Sequence, residues 1–247
     1  MKLRVLGSSS SGNCYLLENE TECLVLEAGL PLKEVNIALD FQVSKIAGLL
    51  ITHEHGDHAK HAEQYYKSGI PIGASQGTGE ALKLPFGFMK PGHWYQFNNF
   101  SITPFSVIHD AREPLGFIIR HSEIGILLFA SDTEYIKQNF KKLKLNHIMV
   151  ECNYSQKIID SRVHQGETVK GLRDRVLQSH MELETCKDFI RANMTMELYT
   201  VTLLHLSDGN SDEKIFINEI QDITARAGAV VYAANKGLAI NLNLTPF

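Results

Sequence analysis

The sequence has few of the features that mark membrane, secreted or disulfide-rich proteins. No uninterrupted apolar stretch approaches the roughly 18–20 residues that a membrane span requires. The opening MKLRVLGSSSSG lacks the apolar core of a secretory signal. The four cysteines show no CxxC spacing, which argues against a zinc-ribbon or disulfide framework. We therefore expect a cytoplasmic protein with free, buried thiols and no membrane span.

An excess of basic residues is also missing, because the formal net charge is −4. The whole molecule is therefore no general attractor of nucleic acid, although a local basic patch could still bind it. With 247 residues, 44% of them hydrophobic, the chain can bury a sizeable core. No linker-like composition shift or internal repeat divides it. We predict one domain, residues 1–247.

Short strand-like segments dominate the first half, and strands alternate with helical periodicity in the second. The predicted strands are 3–7, 15–18, 23–27, 48–52, 94–97, 100–108, 116–120, 125–130, 147–152, 198–204 and 230–232. The predicted helices are 59–67, 134–143, 165–180, 182–192 and 212–227. This order suits an α/β fold of two packed sheets with helices on the outside.

The most informative segment is THEHGDH, which follows the apolar run IAGLLI. His53 and His55 are two residues apart, so their side chains project to the same side of an extended chain. Asp57 and His58 then open a helix. Imidazole nitrogens and carboxylate oxygens suit zinc, manganese or iron. The end of this strand offers four candidate ligands. If it supplies two of them to each of two ions, the result is a compact dinuclear metal site.

Three further coordinating residues each follow a predicted strand. His109 ends FSITPFSVIH, Asp132 follows IGILLFA, and His205 follows LYTVTLL. We expect them to converge with the histidines, because ligands from several strand ends can meet in one site. Asp132 could instead cap the helix predicted from residue 134.

These residues carry a resemblance to a known family. HxHxDH with a later His, Asp and His resembles the metallo-β-lactamase-fold hydrolases over nearly the whole chain. GSSSSGNCYLL, HDAREPLGF, ASDT, ECNY, SHMELE and HLSDGN resemble one bacterial branch of them. That branch contains the YycJ-type (WalJ-type) single-domain nucleases and is close to the phosphonate-pathway cyclic phosphodiesterase. The implied fold is a four-layer αββα sandwich with two mixed sheets.

The resemblance also implies a ligand set and a mechanism. One ion would be bound by His53, His55 and His109, the other by Asp57, His58 and His205, with Asp132 bridging the two. The ions would be divalent, zinc in the first place and manganese or iron as alternatives, holding a shared hydroxide that attacks a phosphodiester. His180 in SHMELE matches a histidine that reaches the substrate in phosphodiesterase relatives, and it would act as general acid beside Asp57 and Asp132. Otherwise His180 is an exposed residue at a helix junction.

Substrate contacts are less defined by the sequence. Ser10 and Asn13 lie in a Ser/Gly loop that could present N–H groups to a phosphate. Asn210 is a further candidate, although Asn210-x-x-Glu213 is also typical of a helix cap. Glu27 stands where the family has Asp in an early DAG motif, which leaves its support of the metal shell open. The basic runs YIKQNFKKLK and KGLRDR are solvated helix faces unless they flank the cleft.

The leading interpretation is a dinuclear-metal phosphodiesterase that acts on DNA, RNA or a small cyclic phosphodiester. One alternative is a thioesterase, lactonase or β-lactamase-type hydrolase of the same fold. Another is a catalytically silent metal-binding module that binds nucleic acid. The substrate, the native metal, the polarity of cleavage and the oligomeric state remain open from the sequence.

Overall fold

The structure is a computed structural model that describes residues 1–244. Its strands lie in two mixed β-sheets flanked by helices, which confirms the predicted fold class. The chain forms two compact units. The first unit contains Met1–Ser106, Ala111–Gly125 and the residues from 234 onward; the second contains Val107–Asp110 and Ile126–Ala233. The expectation of a single hydrolase domain stays a prediction.

The described residues form thirteen strands and eight α-helices. The strands are β1 (Lys2–Gly7), β2 (Cys14–Glu18), β3 (Cys23–Leu26), β4 (Ile46–Leu50), β5 (Ile72–Gly73), β6 (Tyr95–Phe97), β7 (Phe100–Ser106), β8 (Leu115–His121), β9 (Gly125–Ala130), β10 (His147–Glu151), β11 (Thr200–Leu204), β12 (Val230–Ala233) and β13 (Ala239–Asn241). The helices are α1 (Leu32–Ala38), α2 (Gly56–Ala59), α3 (Ala62–Lys67), α4 (Gln76–Leu82), α5 (Gln156–His164), α6 (Lys170–Ser179), α7 (Leu183–Asn193) and α8 (Glu213–Thr224).

The first unit is built on a sheet with the strand order β13-β1-β2-β3-β4-β5. The pairs from β13 to β3 are antiparallel, whereas β3, β4 and β5 run parallel. Every residue of β3 and β4 is buried, as expected for strands covered on both faces. Val35 of α1 and Tyr65 of α3 pack into one apolar cluster with Leu16, Val25 and Leu49 of the sheet. This cluster fixes the strand end from which the histidine segment THEHGDH departs.

The second unit is built on the parallel strands β9, β10, β11 and β12. Ala130 pairs with Val150, and Glu151 pairs with Leu204, so these strands end at one edge. Strands β9, β10 and β11 are almost fully buried, which explains their continuous apolar runs. Residues that directly follow parallel strands are thereby placed side by side.

The predicted helix 134–143 is wrong. Only the 3₁₀ turn Lys141–Leu143 forms there. The backbone N–H of Thr133 donates to Glu151 Oε2 (2.7 Å) and that of Glu134 donates to the Ile108 carbonyl (2.9 Å). A helix start leaves such N–H groups unpaired in any case. The decisive groups are the interior N–H of Phe140, which donates to Asn193 Oδ1, and that of Lys141, which donates to Asn139 Oδ1 (3.0 Å), because a helix would need both for its own carbonyls. The interpretation of Asp132 as a helix cap is therefore wrong as well.

Other helix predictions need smaller corrections. The predicted helix 165–180 begins later, as α6, because Gly166 takes a left-handed backbone (φ 74°) after α5 has ended. The predicted helix 59–67 corresponds to α3, and the single turn of α2 precedes it. At α8 the N-cap is Asp212, whose side chain accepts from the Ile215 N–H (3.1 Å), so the cap interpretation of Asn210 is wrong. Helices α1, α4 and α5 are absent from the prediction, because their apolar periodicity is short.

Two compositional expectations can be compared with the structure. The cysteines are free and buried, as predicted. Within residues 1–244 no helix combines the length and the apolar character needed to cross a bilayer. The cytoplasmic location stays a prediction.

Candidate metal centre

The first unit gathers three imidazoles at the end of β4, and we call His53, His55, Asp57 and His58 the first cluster. The His53 ring lies 4.6 Å from that of His55 and 4.2 Å from that of His58 between centroids. His55 precedes α2 as its N-cap residue, and Asp57 lies in the first turn. His53 and His58 are fully buried. Four candidate ligands within six residues are thus concentrated by a short turn into a helix.

Glu27 contacts the first cluster through Thr52 and His58. It is fully buried, and its Oε1 accepts a hydrogen bond from Thr52 Oγ1 (2.6 Å). The same oxygen lies 3.4 Å from His58 Nδ1, while Thr52 Oγ1 lies 2.9 Å from His53 Nδ1. Burial raises the pKa of Glu27, and His58 and Thr52 oppose this rise. The longer side chain that replaces the family's Asp therefore still reaches a predicted ligand.

The predicted substrate residues of the Ser/Gly loop have different environments. Ser10 is exposed, whereas Asn13 is fully buried against Asp57 and His58. The N–H groups of Ser11 and Gly12 both point to Ser9, at 3.2 Å to its Oγ and 2.9 Å to its carbonyl oxygen. These two N–H groups are used within the loop. Substrate binding by Ser10 stays a prediction.

The second unit contains Asp132, Glu151, His180 and His205, which we call the second cluster. One ligand atom from each lies within 4.8 Å of the others. Asp132 follows β9, Glu151 ends β10, His205 follows β11, and His180 is the residue after α6. Three of the four are buried, and His180 is partly exposed. The common edge of the parallel strands therefore assembles residues that lie up to 73 positions apart.

Glu151 is the centre of the second cluster. Its Oε1 lies 2.6 Å from His180 Nδ1 and 3.4 Å from His205 Nδ1. Its Oε2 accepts the backbone N–H groups of Thr133 (2.7 Å) and Met181 (3.2 Å). His205 Nδ1 in turn lies 2.9 Å from Asp132 Oδ1. A buried carboxylate with this many donors is fixed in place and fixes the two imidazoles beside it.

The charges in this cluster stabilise one another. Burial favours a neutral Glu151, but the charge and hydrogen bond of His180 outweigh it, so the pKa of Glu151 lies below its usual 4.5. Burial likewise opposes protonation of both histidines. Glu151 nevertheless raises the pKa of His180, and Asp132 raises that of His205 to about 10. The two neighbouring carboxylates, Asp132 and Glu151, favour a bound cation. That cation can be a proton on the imidazoles or a metal ion.

His109 is placed beside the second cluster by the end of α6. Its Nδ1 lies 2.9 Å from the Ser179 carbonyl oxygen, and its ring centroid is 6.0 Å from that of His180. Burial lowers the pKa of His109, which favours the neutral form that binds metals. Since Nδ1 makes this hydrogen bond, Nε2 is the nitrogen of His109 that would bind a metal ion.

Backbone strain marks three of these positions. Glu27, Asp132 and His205 all have a left-handed backbone, with φ of 68°, 32° and 54°. Each follows directly, or after one residue, on a strand. A non-glycine residue in this region costs of order 1–3 kcal/mol, and such residues cluster at functional sites. The conformation turns each side chain away from its strand direction.

Two residues of the ECNY motif support predicted site histidines, although the sequence assigned them no role. Glu151 opens ECNY, and Asn153 of the same motif donates to the His205 carbonyl oxygen (2.7 Å). The only sequence signal for Glu151 is an acidic residue at the end of an apolar strand. Asn210 lies in the loop after His205, where its Oδ1 accepts from Arg162 Nη1 (3.1 Å) and its carbonyl from the Ser155 N–H (2.9 Å). Substrate binding by Asn210 stays a prediction.

The donor set fits divalent metal ions. Buried imidazoles and carboxylates with ligand atoms within 4.8 Å of one another are what zinc, manganese and iron bind in proteins. Several donors also have an outer partner, as Thr52 beside His53 and Glu151 beside His180 illustrate, which is the usual support of a metal ligand.

Comparison with known proteins points to one fold. The family model described as Metallo-beta-lactamase superfamily matches residues 9–93. The crystal structure of the metallo-beta-lactamase fold protein YhfI from Bacillus subtilis superposes with a TM-score of 0.75 at 15% identity, covering 97% of this chain and 98% of the other. The chain has the metallo-β-lactamase fold.

Two further similarities concern the branch of this fold. Exodeoxyribonuclease YycJ of Bacillus anthracis is 24% identical over an alignment of 243 positions that covers 91% of this chain and 89% of that protein. A structure described as a new diphosphatase from the PhnP family has a TM-score of 0.68 at 14% identity, with 97% of both chains covered. The predicted resemblance to the metallo-β-lactamase superfamily and to its YycJ-type branch is therefore confirmed. Together with the clusters, this supports a metal-dependent hydrolase of the metallo-β-lactamase fold.

Proposed function

We propose that the protein is a dinuclear-metal phosphodiesterase that cleaves nucleic acid. The observation that carries the proposal is the second cluster, where buried Glu151 holds His180 next to Asp132 and His205. A curated relative that this chain matches over 91% of its length is named an exodeoxyribonuclease. The chemistry of the site and the name of this relative favour the same class of substrate.

The ligand assignment in this proposal comes from the sequence resemblance. Two divalent ions would be bound by His53, His55, Asp57, His58, His109, Asp132 and His205. When bound, such ions would lower the pKa of a coordinated water to about 7 and so make a nucleophile available at neutral pH. Zinc is the first choice, and manganese and iron remain alternatives.

His180 is suited to protonate the leaving oxygen. Its Nδ1 is held 2.6 Å from Glu151, which leaves Nε2 as the nitrogen that faces a substrate. The side chain is 20% exposed, whereas that of Glu151 is fully buried. Glu151 stabilises the protonated ring and fixes its orientation. General-acid help of this kind is typically worth about 10²–10⁴-fold in rate.

The two basic runs differ in their position relative to the second cluster. Lys141 and Lys142 precede β10, whose opposite end carries Glu151, and Lys144 pairs with Glu197 (2.8 Å). The run KGLRDR instead forms the start of α6, which ends next to His180. Within it Arg173 pairs with Asp160 (2.6 Å), while Lys170 and Arg175 are exposed. We therefore assign contacts with substrate phosphates to α6.

The proposal can be tested with the metal-loaded protein and two phosphodiesters. Single-stranded DNA labelled at either end and bis-p-nitrophenyl phosphate should both be cleaved only in the presence of Zn²⁺, Mn²⁺ or Fe²⁺. Lys170→Ala with Arg175→Ala should weaken DNA cleavage and lower its salt dependence, while Lys141→Ala with Lys142→Ala should change neither. The phosphate ester without a DNA backbone should be insensitive to both pairs.

The same protein preparation distinguishes the alternative functions. Nitrocefin, S-lactoylglutathione and acyl lactones test the carboxyl-ester branch of the fold. Hydrolysis of one of these, without cleavage of any phosphodiester, would contradict the proposal. Saturable binding of DNA with two bound ions and no turnover would instead identify a silent binding module.

A further inference from the structure

Asn13 lies inside the first unit, where the Ser/Gly loop meets the first cluster. Its side chain is fully buried. Nδ2 is 3.3 Å from Asp57 Oδ2 and 3.0 Å from His58 Nε2. One amide group thus contacts two predicted metal ligands at once.

The main chain of Asn13 is fixed independently of this amide. Its N–H donates to the Asp57 carbonyl (2.7 Å), and its carbonyl accepts from the Gly29 N–H (3.0 Å). This close approach requires glycine at position 29. A Cβ there would lie 1.9 Å from the Asp57 carbonyl oxygen and 2.4 Å from the Asn13 nitrogen. The loop, the Glu27-Ala28-Gly29 turn and the start of α2 therefore meet backbone to backbone.

The amide orientation is set by Tyr15. The Tyr15 hydroxyl lies 3.2 Å from Asn13 Oδ1 and 2.8 Å from Ser8 Oγ. Because the acceptor oxygen of the amide faces this hydroxyl, the NH₂ group faces Asp57 and His58. Asp57 Oδ2 also lies 3.3 Å from His58 Nε2, so the amide, the carboxylate and the imidazole contact one another.

We propose that Asn13 is a positioning residue that orients Asp57 and His58 for metal binding, and is not a contact for substrate. This inference rests on the proposed function in one respect, namely that Asp57 and His58 are ligands. A ring nitrogen that binds a metal cannot also accept a hydrogen bond, so for His58 Nε2 the two are alternatives. The contact with Asp57 persists in either case. A neutral amide steers the carboxylate without competing for the ion.

The test is Asn13→Ala in the full chain, which keeps both main-chain hydrogen bonds and removes only the amide. We expect about 10–100-fold weaker binding of one of two Zn²⁺ ions in a chelator competition, the usual cost of losing an outer partner of a ligand. The visible absorption spectrum of the Co²⁺-loaded protein should change, because the geometry around one ion changes.

The matched control is Asn193→Ala in α7, which also deletes a buried amide. Asn193 is 1% exposed and bonds to the main chain of Phe140 and Phe189. We expect this control to lower the melting temperature while leaving the Co²⁺ spectrum and the metal affinity unchanged. A general effect of losing a buried amide is thereby separated from positioning.

The outcomes are distinct. Unchanged metal affinity and spectrum in Asn13→Ala overturn the inference, and so does a raised KM for DNA with unaltered metal binding. If this variant does not fold, Asn13→Leu replaces it, because it keeps the approximate size of the side chain, adds no charge and removes the N–H donors. An unchanged spectrum there has the same meaning. A chain that binds two ions but cleaves no phosphodiester refutes the proposed function alone, whereas a chain that binds none refutes both.

Discussion

The two clusters are built in different ways. The first cluster lies within six consecutive residues, and the local turn from β4 into α2 brings its side chains together. The second cluster has almost no local component, because Asp132, Glu151, His180 and His205 come from separate strand and helix ends. A short motif can be recognised in any sequence, whereas a site assembled by a parallel sheet depends on strand register.

The largest expected effect comes from the second cluster. Asp132→Ala should abolish metal-dependent cleavage of bis-p-nitrophenyl phosphate, because it removes the carboxylate assigned to bridge both ions and the partner of His205. The measurement is the initial rate together with the bound metal per chain. Asp188→Ala, which removes an exposed carboxylate on α7 paired with Arg191, should leave both unchanged. Full activity of Asp132→Ala would contradict the ligand assignment.

His180→Asn separates a catalytic role in the second cluster from a metal-binding one. We expect kcat to fall by about 10²–10⁴-fold, the range for losing a general acid, while two ions remain bound. The paired measurement is kcat on the phosphodiester and metal content by elemental analysis. Loss of one ion from the variant would instead make His180 a ligand, since its ring belongs to the same group of candidate ligands.

The sequence predicts the first cluster better than the second, because only the first is local in the chain. His53, His55, Asp57 and His58 could be identified because ligand types and spacing are both local. Glu151 was not assigned a role, because one acidic residue at a strand end has no distinguishing pattern. Its importance depends on the register that pairs it with Leu204 and on the donors of Thr133 and Met181. None of these is visible in the linear order.

The fold shows a similar limit. The strand pattern predicted two sheets correctly, because buried strands leave apolar runs, and the resemblance implied that both are mixed. The helix predicted at 134–143 is wrong because the interior N–H groups of Phe140 and Lys141 donate to the side chains of Asn193 and Asn139. Local periodicity does not reveal that competition. The left-handed backbone at Glu27, Asp132 and His205 was likewise unpredictable, since it is uncommon in any non-glycine residue, although Asp and His adopt it more often than most.

Gly29→Ala tests the backbone packing that supports the first cluster. An added Cβ would lie 1.9 Å from the Asp57 carbonyl oxygen, so we expect a destabilisation of about 1–3 kcal/mol as the chain shifts. The measurement is urea unfolding at neutral pH. Gly56→Ala is the matched control in the same region, because nothing lies within 4 Å of its added Cβ. Equal stability of the two variants would show that the close approach does not constrain the turn.

The smallest effect on activity is expected from a second histidine–glutamate pair, which lies in the first unit. Glu22 Oε1 is 3.2 Å from His121 Nε2, much as Glu151 faces His180, but it also accepts the side-chain and main-chain N–H groups of Asn99. Burial would raise the pKa of Glu22, and these hydrogen bonds outweigh it, so the pKa lies below 4.5. The ionised carboxylate of Glu22 therefore stabilises the fold at neutral pH, and this contribution is lost as the pH falls through the lowered pKa.

Glu22→Gln should thus cost about 1–3 kcal/mol of unfolding free energy at pH 7, the range for disrupting a buried polar group, with no change in phosphodiester cleavage. The difference from the unmodified protein should shrink as the pH falls below 4.5, because Glu22 of the unmodified chain is then protonated too. Urea unfolding at a series of pH values between 7 and 3 measures it. A difference that is constant over this range would mean that the charge of Glu22 contributes nothing. A loss of activity would mean that a buried histidine–glutamate pair does not distinguish the second cluster.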